Sequence, residues 1–461
     1  MVNEMNNSFN LRERALRKIN LKTREDFLNV FTPASPILTP AKFVGRQKQL
    51  EEMISALLSK GADLIVYGER GCGKSSLAYM LHAVAQGDFE LLDYYNLRKR
   101  LESRGFLSWL VGPDRKSFNV IWVNGFGKRL DEVIHSILTR RRERHDNRLY
   151  GAGLLSYLSS EADQIEVATK IGFDKVFVAE DELKEIHVPE KPINIKEGFE
   201  IAIQRYGDSY TDQLLIIIDE FETIQNRAEI AFYLKNIPNV RFVLVGIAET
   251  TFDLIGQHSS IARQIHAIKL EPMTAEELKE ILDVGAFQLR KNCKISPDVI
   301  RQIVGSSYRS PYWCHFFAKT LLQDYLESEK SFENFRRPQK NTVIINNKGF
   351  NEMISGLQDN AECRLFEEQL KMVTLEDDIN WSVLNAIAKQ EDTVIISKKI
   401  VDQVSKSSNI SESDIKATIH GFLDMQDGPF EVKSEIRDTR SFVFRDPNFK
   451  RYILVRGQKQ V

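Results

Sequence analysis

Little in this 461-residue chain points to a metal centre, a disulfide framework or a strongly charged partner. Its four cysteines, Cys72, Cys293, Cys314 and Cys363, are widely scattered and show no Cys-x-x-Cys or Cys/His ligand spacing, so a reduced, cytoplasmic protein is the natural expectation. Charge of one sign is equally lacking. With 63 Lys+Arg against 65 Asp+Glu, no polyanion partner follows from net charge, and only a local patch could hold one. No uncharged stretch reaches membrane-spanning length, and the polar start Met1-Val2-Asn3-Glu4 lacks an apolar leader core, so no membrane role is expected.

What is present begins at Gly68-Glu69-Arg70-Gly71-Cys72-Gly73-Lys74-Ser75, a complete Gly-x4-Gly-Lys-Ser string, preceded by the apolar run Asp63-Leu64-Ile65-Val66-Tyr67. The run predicts a buried strand and Ser75–Ala83 a helix, the context in which such a loop wraps phosphates with backbone N–H groups. Gly68, Arg70, Gly71, Cys72, Gly73, Lys74, Ser75 and Ser76 are the candidate nucleotide-binding residues. Lys74 would reach the β and γ phosphates, and the Ser75 hydroxyl would ligate Mg²⁺. Cys72 reads either as a redox-sensitive thiol at a helix start or as neutral filler.

A second run, Leu214-Leu215-Ile216-Ile217-Ile218, ends in Asp219-Glu220. A strand so uniformly apolar is buried on both faces of a parallel sheet. Its carboxyl end places Asp219 as a second Mg²⁺ ligand and Glu220 as the base that polarises an attacking water.

Further strands are expected at Phe118–Asn124, with Asn124 at the nucleotide edge, at Val240–Gly246 and at His266–Leu270. Together they make an α/β doubly wound sheet with five strands. Because 145 residues separate Lys74 from Asp219, insertions are expected near 87–117, with the basic Arg98-Lys99-Arg100, and near 150–195. Within the latter, Ala168–Phe173 and Lys175–Val178 suggest a short hairpin. The run Arg140-Arg141-Arg142, Arg144 and Arg148 is either a solvated helix end or a nucleic-acid contact.

The expected domains are an N-terminal helix and extended strap over 1–40, an ATPase core over 41–271, a helical lid over 272–335, a connector over 336–374 and a winged-helix-like domain over 375–461. The last is read from three helical stretches followed by Phe430–Lys433 and Ser441–Phe444. The leading helix, with Leu11, Ala15, Leu16 and Ile19 on one face, either covers the core or contacts a partner.

The two motifs, together with Phe43-Val44-Gly45-Arg46 and the Phe31–Ile37 strap, make the chain resemble the AAA+ P-loop ATPases of the origin-recognition and initiator type. More narrowly, it is similar to bacterial ATP-binding proteins of that architecture found in antiphage defence loci. The resemblance implies ATP and Mg²⁺ as ligands, with Val44 and Gly45 beside the adenine. It also implies that Asn124 orients Glu220, and that Arg263 reaches a neighbouring subunit's γ-phosphate as an arginine finger; a helix-capping or acid-paired Arg263 is the alternative.

Two positions depart from the pattern. Glu249 stands where a sensor asparagine or threonine is usual, leaving Thr250 as the neighbouring hydroxyl. Arg309 precedes Pro311 where the lid arginine usually follows it, so hydrolysis is expected to be slow or gated by a partner.

Two outputs follow. One is an ATP-hydrolysing switch that assembles with itself or with a protein effector. The other is a DNA-binding initiator or loader using the winged helix, which is less favoured: residues 375–461 hold 13 Lys+Arg against 14 Asp+Glu, and the would-be recognition helix opens on Ser411-Glu412-Ser413-Asp414, acids that repel phosphate.

Overall fold

A computed structural model describes residues 11–57, 62–103, 118–141, 152–179, 182–188, 192–210, 213–237, 239–256, 264–289, 293–327, 332–333, 343–375, 377–436 and 439–458. The chain divides into two compact units, residues 1–20 with 34–273, and residues 21–33 with 274–461.

The first unit is organised by strands β1 (Asp63–Gly68), β2 (Phe118–Asn124), a separate antiparallel hairpin of β3 (Lys175–Ala179) and β4 (Glu182–Glu185), then β5 (Gln213–Asp219), β6 (Val240–Ile247) and β7 (Ile265–Leu270). The main sheet runs β2-β5-β6-β1-β7, with every pairing parallel. Strand alternation divides the apolar runs between two cores. Ile65, Ile121, Val123, Ile216, Ile218 and Leu244 face one layer of helices, while Leu64, Val66, Val120, Trp122, Leu215, Ile217, Val243 and Val245 face the other. This two-sided burial is why Leu214–Ile218 has no polar residue to spare.

The order puts β6 between β1, which carries the glycine loop, and β5, which carries Asp219. The result is an α/β core built on a parallel sheet, with both motifs at the carboxyl edge of the sheet.

The expected insertions belong to these same cores. Helices Glu90–Tyr94 and Leu97–Ser103 send Leu91, Leu92, Leu97 and Leu101 into the core that the loop helix shares. Arg98 pairs with Asp93 and Arg100 with Glu51, so two members of the basic tripeptide are neutralised at home. On the opposite layer, the expectation of a strand at Ala168–Phe173 is corrected: Glu161–Ile171 is a helix, capped by the Ser160 side chain and closed by Gly172 at φ 71°. Gln164, Val167, Ala168 and Ile171 are its buried stripe, a spacing of three, one and three that only a helix places on one face. The hairpin partner of β3 is instead Glu182–Glu185. Of the arginine run, Arg142, Arg144 and Arg148 lie outside the described residues.

In the second unit, helices Ala275–Leu289, Pro297–Ser306 and Pro311–Tyr325 are joined by a small parallel pair, β8 (Cys293–Ile295) with β9 (Val343–Ile345). The segment 21–33 packs with them. Its helix Arg24–Leu28 carries a Thr23/Asp26 capping box, and the Phe31 ring lies so close over Gly285 that a Cβ there would come within 2.2 Å of it.

Helices Asp378–Ala388, Ser397–Ser407 and Glu412–Asp424 then accompany an antiparallel sheet of β10 (Ile395–Ile396), β11 (Phe430–Ile436) and β12 (Thr439–Phe444) in the order β10-β12-β11. A closing helix, Pro447–Gly457, absent from the sequence reading, buries Phe449, Tyr452, Ile453 and Val455. Its Tyr452 hydroxyl and Arg456 guanidinium both bond to the buried Glu367 carboxylate.

Candidate nucleotide site

The glycine loop needs backbone conformations that side chains resist. Gly68, Gly71 and Gly73 have φ of 149°, 77° and 93°, and a Cβ on Gly68 would meet the Leu270 carbonyl at 2.7 Å. Gly73 is the N-cap of helix Lys74–Ala85, whose first N–H groups point into the loop.

Lys74, although 8% exposed, bonds through Nζ to the carbonyls of Glu69 (2.7 Å) and Gly68 (3.2 Å). Its ammonium therefore stands within the cradle itself. Ser76, expected among the nucleotide contacts, turns its hydroxyl to the strap and accepts from the Ile37 N–H at 2.9 Å.

Across the sheet edge, the Ser75 side chain stands close enough to the Asp219 carboxylate to favour its charged form. Burial raises the Asp219 pKa above the ordinary carboxylate value, against lowering by Ser75, by the Glu220 N–H and by Lys74. The Glu220 N–H reaches Asp219 Oδ1 at 2.9 Å, and Glu220 itself is left-handed, at φ 54° and ψ 40°. That conformation is uncommon for a non-glycine residue. It is stabilised by Thr223, whose hydroxyl and N–H both donate to the Glu220 carbonyl.

Asn124 lies in register with Asp219, at the edge where the sequence put it, but its Oδ1 accepts from the Phe126 N–H at 2.7 Å. Just after β6, Thr250 is the N-cap residue of helix Thr251–Ile255, and the N–H groups of Glu249 and Thr250 are both taken by Asp253 Oδ2. Arg309 sits in the second unit, between two helices, at φ 63° after Tyr308 at φ 43°. Arg263 lies outside the described residues.

Three residues at this edge escaped the sequence reading. Arg46, quoted only as part of a string, is 4% exposed and donates to the carbonyls of Glu271 (2.6 Å) and Cys72 (3.1 Å), tying the strap beside Val44 and Gly45 to the glycine loop. Arg227 spans the carbonyls of Glu222, Asp253 and Leu254, joining the turn after Glu220 to the helix after β6. Tyr95 donates to the strap at Phe43 and Gly45. Each acts on backbone far away in sequence, which no local motif announces.

The donor set fits a Mg²⁺–nucleotide: a glycine cradle closed to side chains, a lysine within it, and a hydroxyl and a carboxylate side by side at the sheet edge, both oxygen donors of the kind Mg²⁺ takes. No family model matches the chain, and no curated protein matches it. Among solved structures it is similar to the ORC1 protein of Aeropyrum pernix in complex with DNA, at 14% identity over 93% of this chain and 95% of that one, with a TM-score of 0.40. A Walker-type ATPase of Pyrococcus abyssi matches at 14% identity over 92% and 99%, with a TM-score of 0.41. The Thermotoga maritima RuvB Holliday junction branch migration motor matches at 14% over 92% and 98%, with a TM-score of 0.37. Scores at this level assign no function, which rests on the residues above.

Proposed function

We propose that the protein is a Mg²⁺-dependent ATPase acting as a molecular switch, assembling with copies of itself or with a protein effector. The observation that carries this reading is Lys74, held inside the glycine loop by the carbonyls of Gly68 and Glu69, with Ser75 beside the Asp219 carboxylate and Glu220 next in the chain.

In this reading the loop N–H groups and the start of helix Lys74–Ala85 take the phosphates, and Lys74 exchanges the carbonyls of Gly68 and Glu69 for phosphate oxygens. Ser75 and Asp219 would hold Mg²⁺, which when bound neutralises charge on the β and γ phosphates. Glu220 accepts the proton of the attacking water, while Asn124 and the Thr223-braced turn fix its approach. Arg263 is proposed as the finger supplied to a neighbouring subunit, and Arg309 as the lid contact.

Protein output is favoured over duplex DNA because three cations of the C-terminal sheet and helices are already paired. Arg440 binds Asp424 (2.6 Å) and Glu435 (3.0 Å), Lys433 binds Glu431 (3.0 Å), and Lys416 lies 3.8 Å from Glu412. Each must surrender an acid before it meets a phosphate. Calorimetric titration of the purified chain with ATP and Mg²⁺ tests the reading: saturable uptake that disappears without Mg²⁺ or falls strongly is expected, and no uptake overturns it.

A further inference from the structure

Two side chains from separate stretches of the first unit converge on the backbone of residues 41–46, the continuation of the strap. Arg12, in the helical residues 11–18, is buried and donates from Nε to the Ala41 carbonyl at 2.9 Å and from Nη2 to the Phe43 carbonyl. Tyr95, from the helical stretch after the loop helix, directs its hydroxyl at the carbonyls of Gly45 (2.9 Å) and Phe43 (3.2 Å). Arg46 fastens the end of the strap to the glycine loop through the Cys72 carbonyl.

Every second carbonyl, 41, 43 and 45, is thus occupied. Between them, Val44 keeps both its N–H and its C=O without a hydrogen bond among the described residues, although its side chain is buried. A buried backbone pair left open in this way is a place where a ligand's polar edge fits. The conformation also needs holding, because Gly45 and Arg46 are both left-handed, at φ 69° and 59°, the second of them against the preference of a side-chain-bearing residue.

We propose that Arg12 and Tyr95 form a clamp that presets the strap for the base of the bound nucleotide, making the N-terminal helix part of the nucleotide site as a source of positioning residues. The proposal rests on the nucleotide reading of the glycine loop. A nucleotide with its phosphates in that loop extends its base along the strap, because the strap runs beside the loop, tied to it by Arg46 at Cys72 and, upstream, by Ile37 to its helix at Ser76. The clamp acts on the base end alone. Removing it makes binding pay for ordering the strap, which weakens ATP without touching the phosphate cradle.

The test compares ATP with inorganic tripolyphosphate, each with Mg²⁺, by calorimetry on the full chain and on the variants Arg12→Ala and Tyr95→Phe. The second variant removes one oxygen and keeps the experiment readable if the first fails to fold. The expected result is a roughly tenfold weaker Kd for ATP, with the tripolyphosphate Kd unchanged.

Unchanged ATP affinity in a folded variant overturns the clamp and leaves the nucleotide reading standing. Equal losses for both ligands also overturn it, since they mark a general structural role. Wild-type protein that takes up neither ligand overturns the nucleotide reading and the clamp with it.

Discussion

The Ser75 side chain stands beside the Asp219 carboxylate and favours its charged form, although 144 positions separate them in the chain. One opens the helix after β1, the other closes β5, and the intervening β6 sets their distance. A hydroxyl and a carboxylate side by side at the carboxyl edge of a parallel sheet would form the metal-ligand pair the proposed reaction needs, and the neighbouring residues would divide the remaining work.

That division predicts different defects in two variants. Lys74→Ala removes the cation within the cradle and should weaken ATP binding by about tenfold or more. Glu220→Gln should keep ATP affinity within a few-fold and reduce turnover by about 10²-fold or more. Nucleotide titration and phosphate release check both; equal loss of affinity in the two variants refutes the separate roles.

Two helical glycines should respond with opposite sign to alanine. Gly207, within helix Ile195–Ser209, has nothing within 4 Å of an added Cβ. Gly207→Ala should therefore stabilise the protein by about 0.5–1 kcal/mol. At Gly285 the same helix gain is outweighed, because the buried Phe31 ring would have to move. Overpacking costs about 1–3 kcal/mol, and the unfolding midpoint of Gly285→Ala should fall. A stabilised Gly285→Ala would mean that Phe31 does not pack as described.

Two buried groups of the first unit, His82 and Asp63, should give pH dependences of opposite slope. Burial holds His82 down to about 4, so the folded state stays neutral while the unfolded state takes a proton below the ordinary value of about 6.5. The His82 contribution to stability is therefore present above pH 6.5 and lost as pH falls towards 4. Burial raises Asp63 to about 6, so its contribution is present below its ordinary value and lost as pH rises through 6.

Each proton is worth about 1.4 kcal/mol per pH unit in its window. Denaturant titrations between pH 4 and 6 should show a less positive slope of stability against pH in His82→Leu and a more positive one in Asp63→Asn, which keeps an acceptor for the Phe242 N–H. Parallel slopes in wild type and variants would show that neither group is held as described.

Duplex DNA should bind no more tightly than the micromolar range typical of non-specific association. Arg440, Lys433 and Lys416 are committed to Asp424, Glu435, Glu431 and Glu412. Fluorescence anisotropy at two salt concentrations measures this. Nanomolar affinity with a steep salt slope would make DNA the primary ligand instead.

The sequence by itself determined what is local. The glycine spacing before Lys74 and Ser75, the β5 run ending in Asp219 and Glu220, and the extent of β2 with Asn124 at its end each depend on residues within a few positions of one another. Periodicity failed at Glu161–Ile171, where a short apolar pattern served helix and strand equally until burial selected Gln164, Val167, Ala168 and Ile171 as one face.

Only the tertiary structure decided which distant groups meet. It placed Arg12 and Tyr95 on the strap, Arg46 on the Cys72 carbonyl, Phe31 over Gly285 and Glu367 under Tyr452 and Arg456. Most of these contacts run to backbone atoms or to a missing side chain. Such atoms are the same at every position, so they leave no mark on the residues that a linear reading can see.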